Sequence, residues 1–340
     1  ETWLTTSRAP IGNFPIINNR KGLQQYGVRL VKGMLQLKTA IHRFFKSKNQ
    51  NITLTEFINK NDIEEVFWHG AVMPVLYTIC TCNPKTIGEW PAKPLLVFLS
   101  QLTSGVELLR LQGGTPAFVG KLIEGITIHS GAAVTKVELK DDKVFVENQA
   151  GTQQLFDRVI VATPTNKIED FLNPEQFAED LQLLKQFRFE EGDLVIHTDA
   201  TVMPPRRKDW AVLSYMMDRN FTRQQFTVWM NAIEPTLVGK NPVFQTWRPV
   251  TPIDPKKVIS TVKLTRAVVN SQTVELSQEL QRRQKASDRK VYFCGSWSCD
   301  GLPILESAVT SAMQIAKNLG APIPFVGLKP KPEVAPELGY

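Results

Sequence analysis

The stretch VYFCGSWSCDGLPILESAVTSAMQIAKNLG, Val291 to Gly320, constrains the fold of this chain more than any other segment. Val291 to Phe293 read as a short apolar strand, Cys294-Gly295-Ser296 as a turn, and the apolar periodicity from about Leu305 to Leu319 predicts a helix. Glycine has no Cβ, so a ligand can approach the backbone at Gly295. A helix also leaves its first N–H groups unpaired, and those suit an anionic or electron-rich group. A plain strand-to-helix corner has the same pattern, and one glycine does not separate the two readings.

A second apolar run, Val159 to Ala162 in DRVIVATP, predicts a strand buried on both faces and stopped by Pro164. It is preceded by alternating segments, Val134, Val137 and Leu139, then Val144 and Val146, with turns at Asp141-Asp142-Lys143 and Ala150-Gly151. These predict a small antiparallel meander. Upstream, Gly113 and Gly114 break the chain, and Thr115 is placed to cap a helix that accepts Pro116 in its first turn and ends near Gly125.

The first 105 or so residues read as mostly helical. Leu23, Tyr26, Leu30, Met34, Leu37 and Ile41 predict a core-facing helix from Gly22 to Phe45. Thr55 is a candidate N-cap for a short helix, Pro74 interrupts a helix approaching Met73, and a further helical stretch lies near Pro94 to Leu102. From about Leu181 to Leu280 the segments DLVIHTDATVMP, AVLSYMM and QFTVWMNAI predict strands, and a strand or loop leads to a helix ending in QELQRR. The proline-rich residues 321–340 predict an extended surface tail.

At 340 residues the chain exceeds what one core supports, so two lobes are expected. The net charge of +7 sits in short clusters, Arg206-Arg207-Lys208 and Arg282, Arg283 and Lys285, without interleaved aromatics, which argues against nucleic acid as the main partner. Cys80 and Cys82, and Cys294 and Cys299, lack zinc-knuckle spacing; they read as buried reduced thiols of a cytoplasmic protein, with no metal site. No run of 18 apolar residues predicts a membrane span. The chain begins at Glu1 with no signal-peptide pattern, consistent with processing or with a start lying upstream.

GGTPAFVGKL, then IHSGAAVTKVELKDDKVFVENQAGTQQLFDRVIVATP, then VYFCGSWSCDGLPILESAVTSAMQIAKNLG together resemble the flavin-containing amine oxidoreductase superfamily. HTDATVMPPRRKDWAVLSY and CGSW resemble its bacterial-type branch of FAD/NAD-binding oxidoreductases more narrowly. The resemblance implies an α/β (α+β) fold: an incomplete FAD-binding Rossmann-like lobe with a mixed-sheet and helical substrate lobe. It divides the chain into 1–108 and 167–284 for the substrate lobe, 109–166 and 285–320 for the FAD lobe, and the tail. It implies FAD as cofactor, with Val134 contacting the adenosine end through its backbone and Thr163 and Pro164 beside the cofactor. Gly295 and Ser296 are implied near the pyrophosphate and ribityl chain, and Glu306, Ser307 and Ala308 on the helix facing the ribityl and flavin.

Two departures stand out. Ser307 replaces the glycine of the family's Glu-Gly-Ala step, and no G-x-G-x-x-G after a strand occurs in the chain. That implies a Gly-rich unit supplied by a missing N-terminal segment or a separate chain. Tyr215, Trp229, Trp247 and Trp297 are candidates to line an apolar substrate pocket, with aromatic core packing as the alternative. His197 reads as a hydrogen-bonded strand-end histidine before an acid–base group, and the adjacent pairs Glu64-Glu65 and Glu190-Glu191 point opposite ways on a strand. No residue is assigned a catalytic role. The expected activity is hydride transfer from an amine or an apolar, lipid-like small-molecule substrate to flavin; the alternative is a non-catalytic member serving as a binding or scaffold module.

Overall fold

The computed structural model describes residues 6–8, 15–17, 20–103, 113–218, 220–299 and 301–323. Two short strands, β1 (Thr6–Arg8) and β2 (Pro15–Ile17), pair antiparallel ahead of the long helix α1 (Arg20–Lys46). Leu37, Ala40, Ile41 and Phe44 of α1 are buried, as the periodicity predicts, but Met34 is 43% exposed. The contact centres on Gly33 instead. A Cβ added there would sit 2.3 Å from the Phe67 Cβ, so the following helices press on bare backbone at that point.

Helix α2 (Leu54–Asn59) is capped by Thr53 rather than Thr55. The Glu56 N–H donates to Thr53 Oγ1 (3.2 Å) and the Thr53 N–H to Glu56 Oε2 (2.8 Å), a reciprocal pair that needs glutamate three residues after the cap. Thr55 donates its hydroxyl to the Gly88 carbonyl (3.0 Å). The helical run is continuous through α3 (Glu65–Phe67), a π-helical turn over Trp68–Val72 and α4 (Met73–Cys80), and Pro74, which has no N–H to donate, falls where the π turn gives way to α-helix. A helix does approach Met73, as the sequence predicts, and next to Pro74 its spacing changes from π to α without the helix ending. Helices α5 (Pro84–Gly88) and α6 (Ala92–Thr103) complete this helical group, and in α7 (Gly114–Leu122) the capping position is Gly113, at φ +76°, with Thr115 inside the helix.

The meander follows as β3 (Val134–Lys140), β4 (Lys143–Asn148) and β5 (Gln153–Phe156), and leads into β6 (Val159–Val161). A short helix α8 (Ala178–Leu184) precedes β7 (Phe189–His197), β8 (Leu213–Met217), β9 (Gln224–Trp229), β10 (Phe244–Trp247) and β11 (Val258–Ala267). These five strands form one antiparallel sheet in the order β11-β7-β10-β9-β8. Helix α9 (Ser271–Arg283), strand β12 (Val291–Phe293) and helix α10 (Leu305–Asn318) follow. The tail expectation, from 324 onward, lies outside the described residues.

Two main cores result. In the first, α1 to α6 pack on one face of the five-stranded sheet, with Trp90, Leu95, Leu96 and Tyr77 against Phe226 and Trp247. The second joins the meander, β6 and β12 through Val137, Val144, Val161 and Phe293. It also takes in Ile168, Leu172, Leu184 and Phe187 and, from α9, Leu276 and Leu280. The division at 166/167 and 284/285 thus cuts through this core, because α8 and α9 bury apolar side chains in the same cluster as the meander and the parallel strands.

Candidate functional site

Strands β6 and β12 run parallel, with Val159 opposite Val291, Ile160 opposite Tyr292 and Val161 opposite Phe293. Parallel pairing sends both chains out at the same end. Ala162-Thr163-Pro164 and Cys294-Gly295-Ser296 therefore leave side by side, at the carboxyl ends of parallel strands, where open α/β sheets bind ligands. The Cys294 N–H donates to the Val161 carbonyl (3.0 Å), extending the pairing one step into the turn.

Gly295 adopts φ +152° and ψ 172°, a backbone conformation open to glycine almost alone. Its surroundings reinforce the choice, since a Cβ would fall 2.5 Å from Trp297 Nε1 and 2.8 Å from Trp297 Cδ1. Helix α10 returns to the same turn. The Gly295 N–H donates to Ser311 Oγ (3.0 Å), and the Ser311 hydroxyl lies within hydrogen-bond reach of the Gly295 carbonyl (3.2 Å) and the Ala308 carbonyl (2.8 Å). Gly295 and Ala308 are thus joined through one buried serine. Sequence reasoning passed over Ser311, although its position one turn beyond Ser307 was a usable signal: two small hydroxyl residues at i and i+4 share a helix face.

The hydroxyl of Ser307 donates to the Leu302 carbonyl (2.6 Å), so it is turned back onto the loop before the helix. No side chain caps α10 at Ile304, which leaves the first-turn amides of the helix without an internal acceptor. Glu306 is exposed and Ala308 half-buried; Ser296 and Thr163 are half-buried and Pro164 exposed. Seven of the eight residues expected on the cofactor side, Thr163, Pro164, Gly295, Ser296, Glu306, Ser307 and Ala308, belong to the paired strand exits and the helix that returns to them. Val134 stands apart at the head of β3, 41% exposed and next to a register shift, linked to the group through Val137 three residues on, in the shared core.

The aromatic candidates do not converge. Trp297 is core: it packs edge-on against Phe187, with ring centroids 4.9 Å apart, inside the cluster of parallel strands. Trp247 is buried between helices and sheet and donates its indole N–H to the Thr81 carbonyl (3.2 Å). Tyr215 borders that same core, its phenol oxygen accepting from Thr78 Oγ1 (3.0 Å). Trp229 packs with Trp210 and Phe244 in a third, smaller cluster. Tyr215 and Trp247 share one face of the sheet, both in register with Phe226, whereas Trp229 joins another core and Trp297 a third, a distribution that composition alone does not reveal. A cleft of about 830 Å³ between residues 175–180 and 282–289 lies away from all four rings, and one of about 440 Å³ is lined by Trp229 with Arg207 and residues 238–242.

His197 is a structural residue. It is fully buried, its Nε2 lies 2.8 Å from Thr246 Oγ1, and its Nδ1 accepts from the Asp199 N–H (3.1 Å). An accepting Nδ1 leaves the proton on Nε2, which then donates to Thr246. Burial holds its pKa below the usual histidine value. Asp199 beside it is a hub for the loop after β7: it accepts from the N–H groups of Asp254 (3.0 Å) and Thr201 (3.2 Å) and from Lys257 Nζ (3.1 Å). Glu190 and Glu191 separate as expected, Glu190 pairing with Arg248 at 2.5 Å while the Glu191 side chain is 63% exposed. All four cysteines are buried, and none forms a disulfide.

With this geometry in place, likeness to known proteins carries weight. The model of the family described as flavin containing amine oxidoreductase matches residues 23–196, just over half of the chain. The chain belongs to that family. Two solved structures share the fold of this family member. One, from Exiguobacterium sp. 255-15 and provisionally named a protoporphyrinogen oxidase, aligns over 90% of this chain and 74% of its own, at 12% identity and TM-score 0.53. The other, an oxidoreductase from Methanosarcina mazei, aligns over 92% and 81%, at 12% identity and TM-score 0.56. No curated protein sequence matches. Among the described residues, no helix of this family member is long and apolar enough to cross a membrane.

Proposed function

We propose that this chain is the larger part of an FAD-dependent oxidoreductase that takes a hydride from an amine or an apolar, lipid-like substrate. The observation that carries the reading is the junction of two parallel strand exits with a glycine-only turn and the uncapped start of α10. At this junction the uncapped first-turn amides of α10 are the N–H groups offered to the phosphates and ribityl chain of a dinucleotide, while the Gly295 N–H is taken by Ser311 and the space beside its Cα by Trp297. The residues fit the group at the point where the sequence raised doubt. Ser307 spends its hydroxyl on Leu302, so replacing glycine there puts no free hydroxyl toward the cofactor side.

Ser296 and the first-turn amides of α10 would hold the ribityl and phosphate region, and Thr163 and Pro164 would flank it. Bound flavin supplies the two-electron acceptor. The chain's own contribution is positional: Ser311 fixes the turn against the helix through Gly295, and Trp297 keeps water from the core beneath it. The reading includes a Gly-rich βαβ unit supplied by residues outside this sequence, upstream or on another chain. Support comes from the two-stranded sheet of β6 and β12, which has no further partner strand among the described residues and leaves Ile160 49% exposed. Parallel strands are normally covered on both faces, so this pair is built to receive more structure.

The test is the visible spectrum of the purified native protein and of its native-mass partners, followed by denaturation and assay of released FAD. Yellow protein with stoichiometric FAD supports the reading, and Ser307→Gly then changes FAD retention less than about threefold, because the hydroxyl faces Leu302. Colourless protein without releasable FAD would overturn it. A second reading, a scaffold that keeps the fold without productive cofactor, draws on one observation: the Gly295 N–H and carbonyl are both already hydrogen-bonded within the chain. Colourless but stably folded protein would select it.

A further inference from the structure

Helix α1 carries seven basic residues, Arg20, Lys21, Arg29, Lys32, Lys38, Arg43 and Lys46, and no acidic one. The whole chain has a net charge of +7, so this one helix holds as much positive charge as the balance of all 340 residues. Arg29 pairs with Glu64 at 2.5 Å. Arg20, Lys32, Lys38, Arg43 and Lys46 are exposed, and no ion pair engages them among the described residues.

The same helix exposes apolar side chains. Val28 is 85% exposed, Val31 54%, Leu35 57% and Met34 43%. Val28, Val31 and Leu35 stand at i, i+3 and i+7, one stripe along the helix, and Lys38 continues it one turn later. Leu37, Ala40, Ile41 and Phe44, which pack into the helical core, occupy the opposite face. The stripe is therefore not a frayed edge of the core. It is a second apolar face, bordered by lysines.

A second copy of this chain is a poor cover for it, because stacking the same faces would set five exposed cations against five. A nucleic acid would satisfy the charge but not the valines and leucine. A surface that is anionic outside and apolar just beneath satisfies both at once. We infer that α1 is an interfacial helix that lies on an anionic lipid surface, with Val28, Val31 and Leu35 below the headgroups and Lys32, Lys38 and Lys46 among them. Helix α1 is long, but too polar to span, which separates lying on a bilayer from crossing it. This inference does not depend on the flavin reading, and its measurement involves no flavin.

The experiment is cosedimentation of the full chain with vesicles of phosphatidylcholine alone or with about 30% phosphatidylserine, in about 0.1 M salt. Binding is expected on the anionic vesicles and is expected to fall steeply as salt rises. The variant K32E/K38E is expected to weaken it at least about tenfold, and V28S/V31S/L35S by a similar factor. The control K208E/K285E makes the same change in net charge at exposed lysines off the helix and is expected to retain most of the binding. All these side chains are exposed, and thermal unfolding of each variant checks that the fold persists. No binding to anionic vesicles, equal binding to neutral ones, or equal loss in the control would overturn the inference. So would a wild-type dimer that V28S/V31S/L35S makes monomeric, since the stripe would then be a subunit interface.

Discussion

Replacing Gly295 with alanine tests the geometry of the proposed cofactor turn. Two separate costs follow from the structure. At φ +152° and ψ 172° the backbone occupies a region that non-glycine residues enter at about 1–3 kcal/mol. The new Cβ would also lie 2.5 Å from Trp297 Nε1, inside a packed core, and such overpacking costs about 1–3 kcal/mol. Gly295→Ala should then lower stability by about 2–6 kcal/mol, read by urea denaturation with tryptophan fluorescence. A double-mutant cycle separates the two parts. In a Trp297→Leu background the steric share disappears while the backbone share remains, so the same substitution should cost about 1–3 kcal/mol less there. A loss below about 0.5 kcal/mol for the single variant, or an identical loss in both backgrounds, would refute the account.

Further expectations rest on other parts of the molecule. For Asp199, burial works to raise the pKa, but the N–H groups of Asp254 and Thr201 and the Lys257 ammonium outweigh it and hold the carboxyl at about 2. A depressed carboxyl stabilises the fold above its unfolded pKa and loses that contribution as pH falls through the folded value, so about 2 kcal/mol should vanish between about pH 4 and pH 2. Asp199→Asn should flatten that part of the stability profile; an unchanged acid limb would contradict the hub. Burial first, and then the Glu190 carboxylate, push the Cys82 thiol up to about 12. At about pH 8 the folded protein should therefore leave Cys82 unmodified by a soluble disulfide reagent that labels it promptly in denaturant, and fast labelling of native Cys82 would show the site open. Thr53→Ala removes the cap of α2 and should cost about 1 kcal/mol in thermal or urea unfolding, while Thr55→Ala should spare the cap; the reverse order would restore Thr55 as the capping residue.

The parts of the fold legible in the sequence were those set by local rules. The meander followed from two-residue alternation and turn residues, and α1 and α10 from their apolar period. The site was legible as a motif: an apolar strand, a glycine turn and a helix. What gave it shape was long-range, namely the parallel pairing of Val159–Val161 with Val291–Phe293 and the reach of Ser311 back to Gly295. Strand β10, only Phe244–Trp247, went unread because a four-residue central strand has too few positions to show a period. The aromatic pocket failed for a related reason. Hydrophobicity says that a tryptophan will be covered, not by which layer, and Trp229, Trp247 and Trp297 went to three different cores.

The strands that frame the proposed crevice come from distant parts of the chain, β6 from mid-sequence and β12 from near its end. Closing so long a loop is entropically slow compared with forming the meander or the helical hairpins. During synthesis the helical core can collapse early, whereas the crevice cannot exist until Val291–Phe293 have emerged and found Val159–Val161. A nascent chain stalled before that strand would hold every helix from α1 to α9 without the proposed crevice, which makes the emergence of Val291–Phe293 the step that forms it.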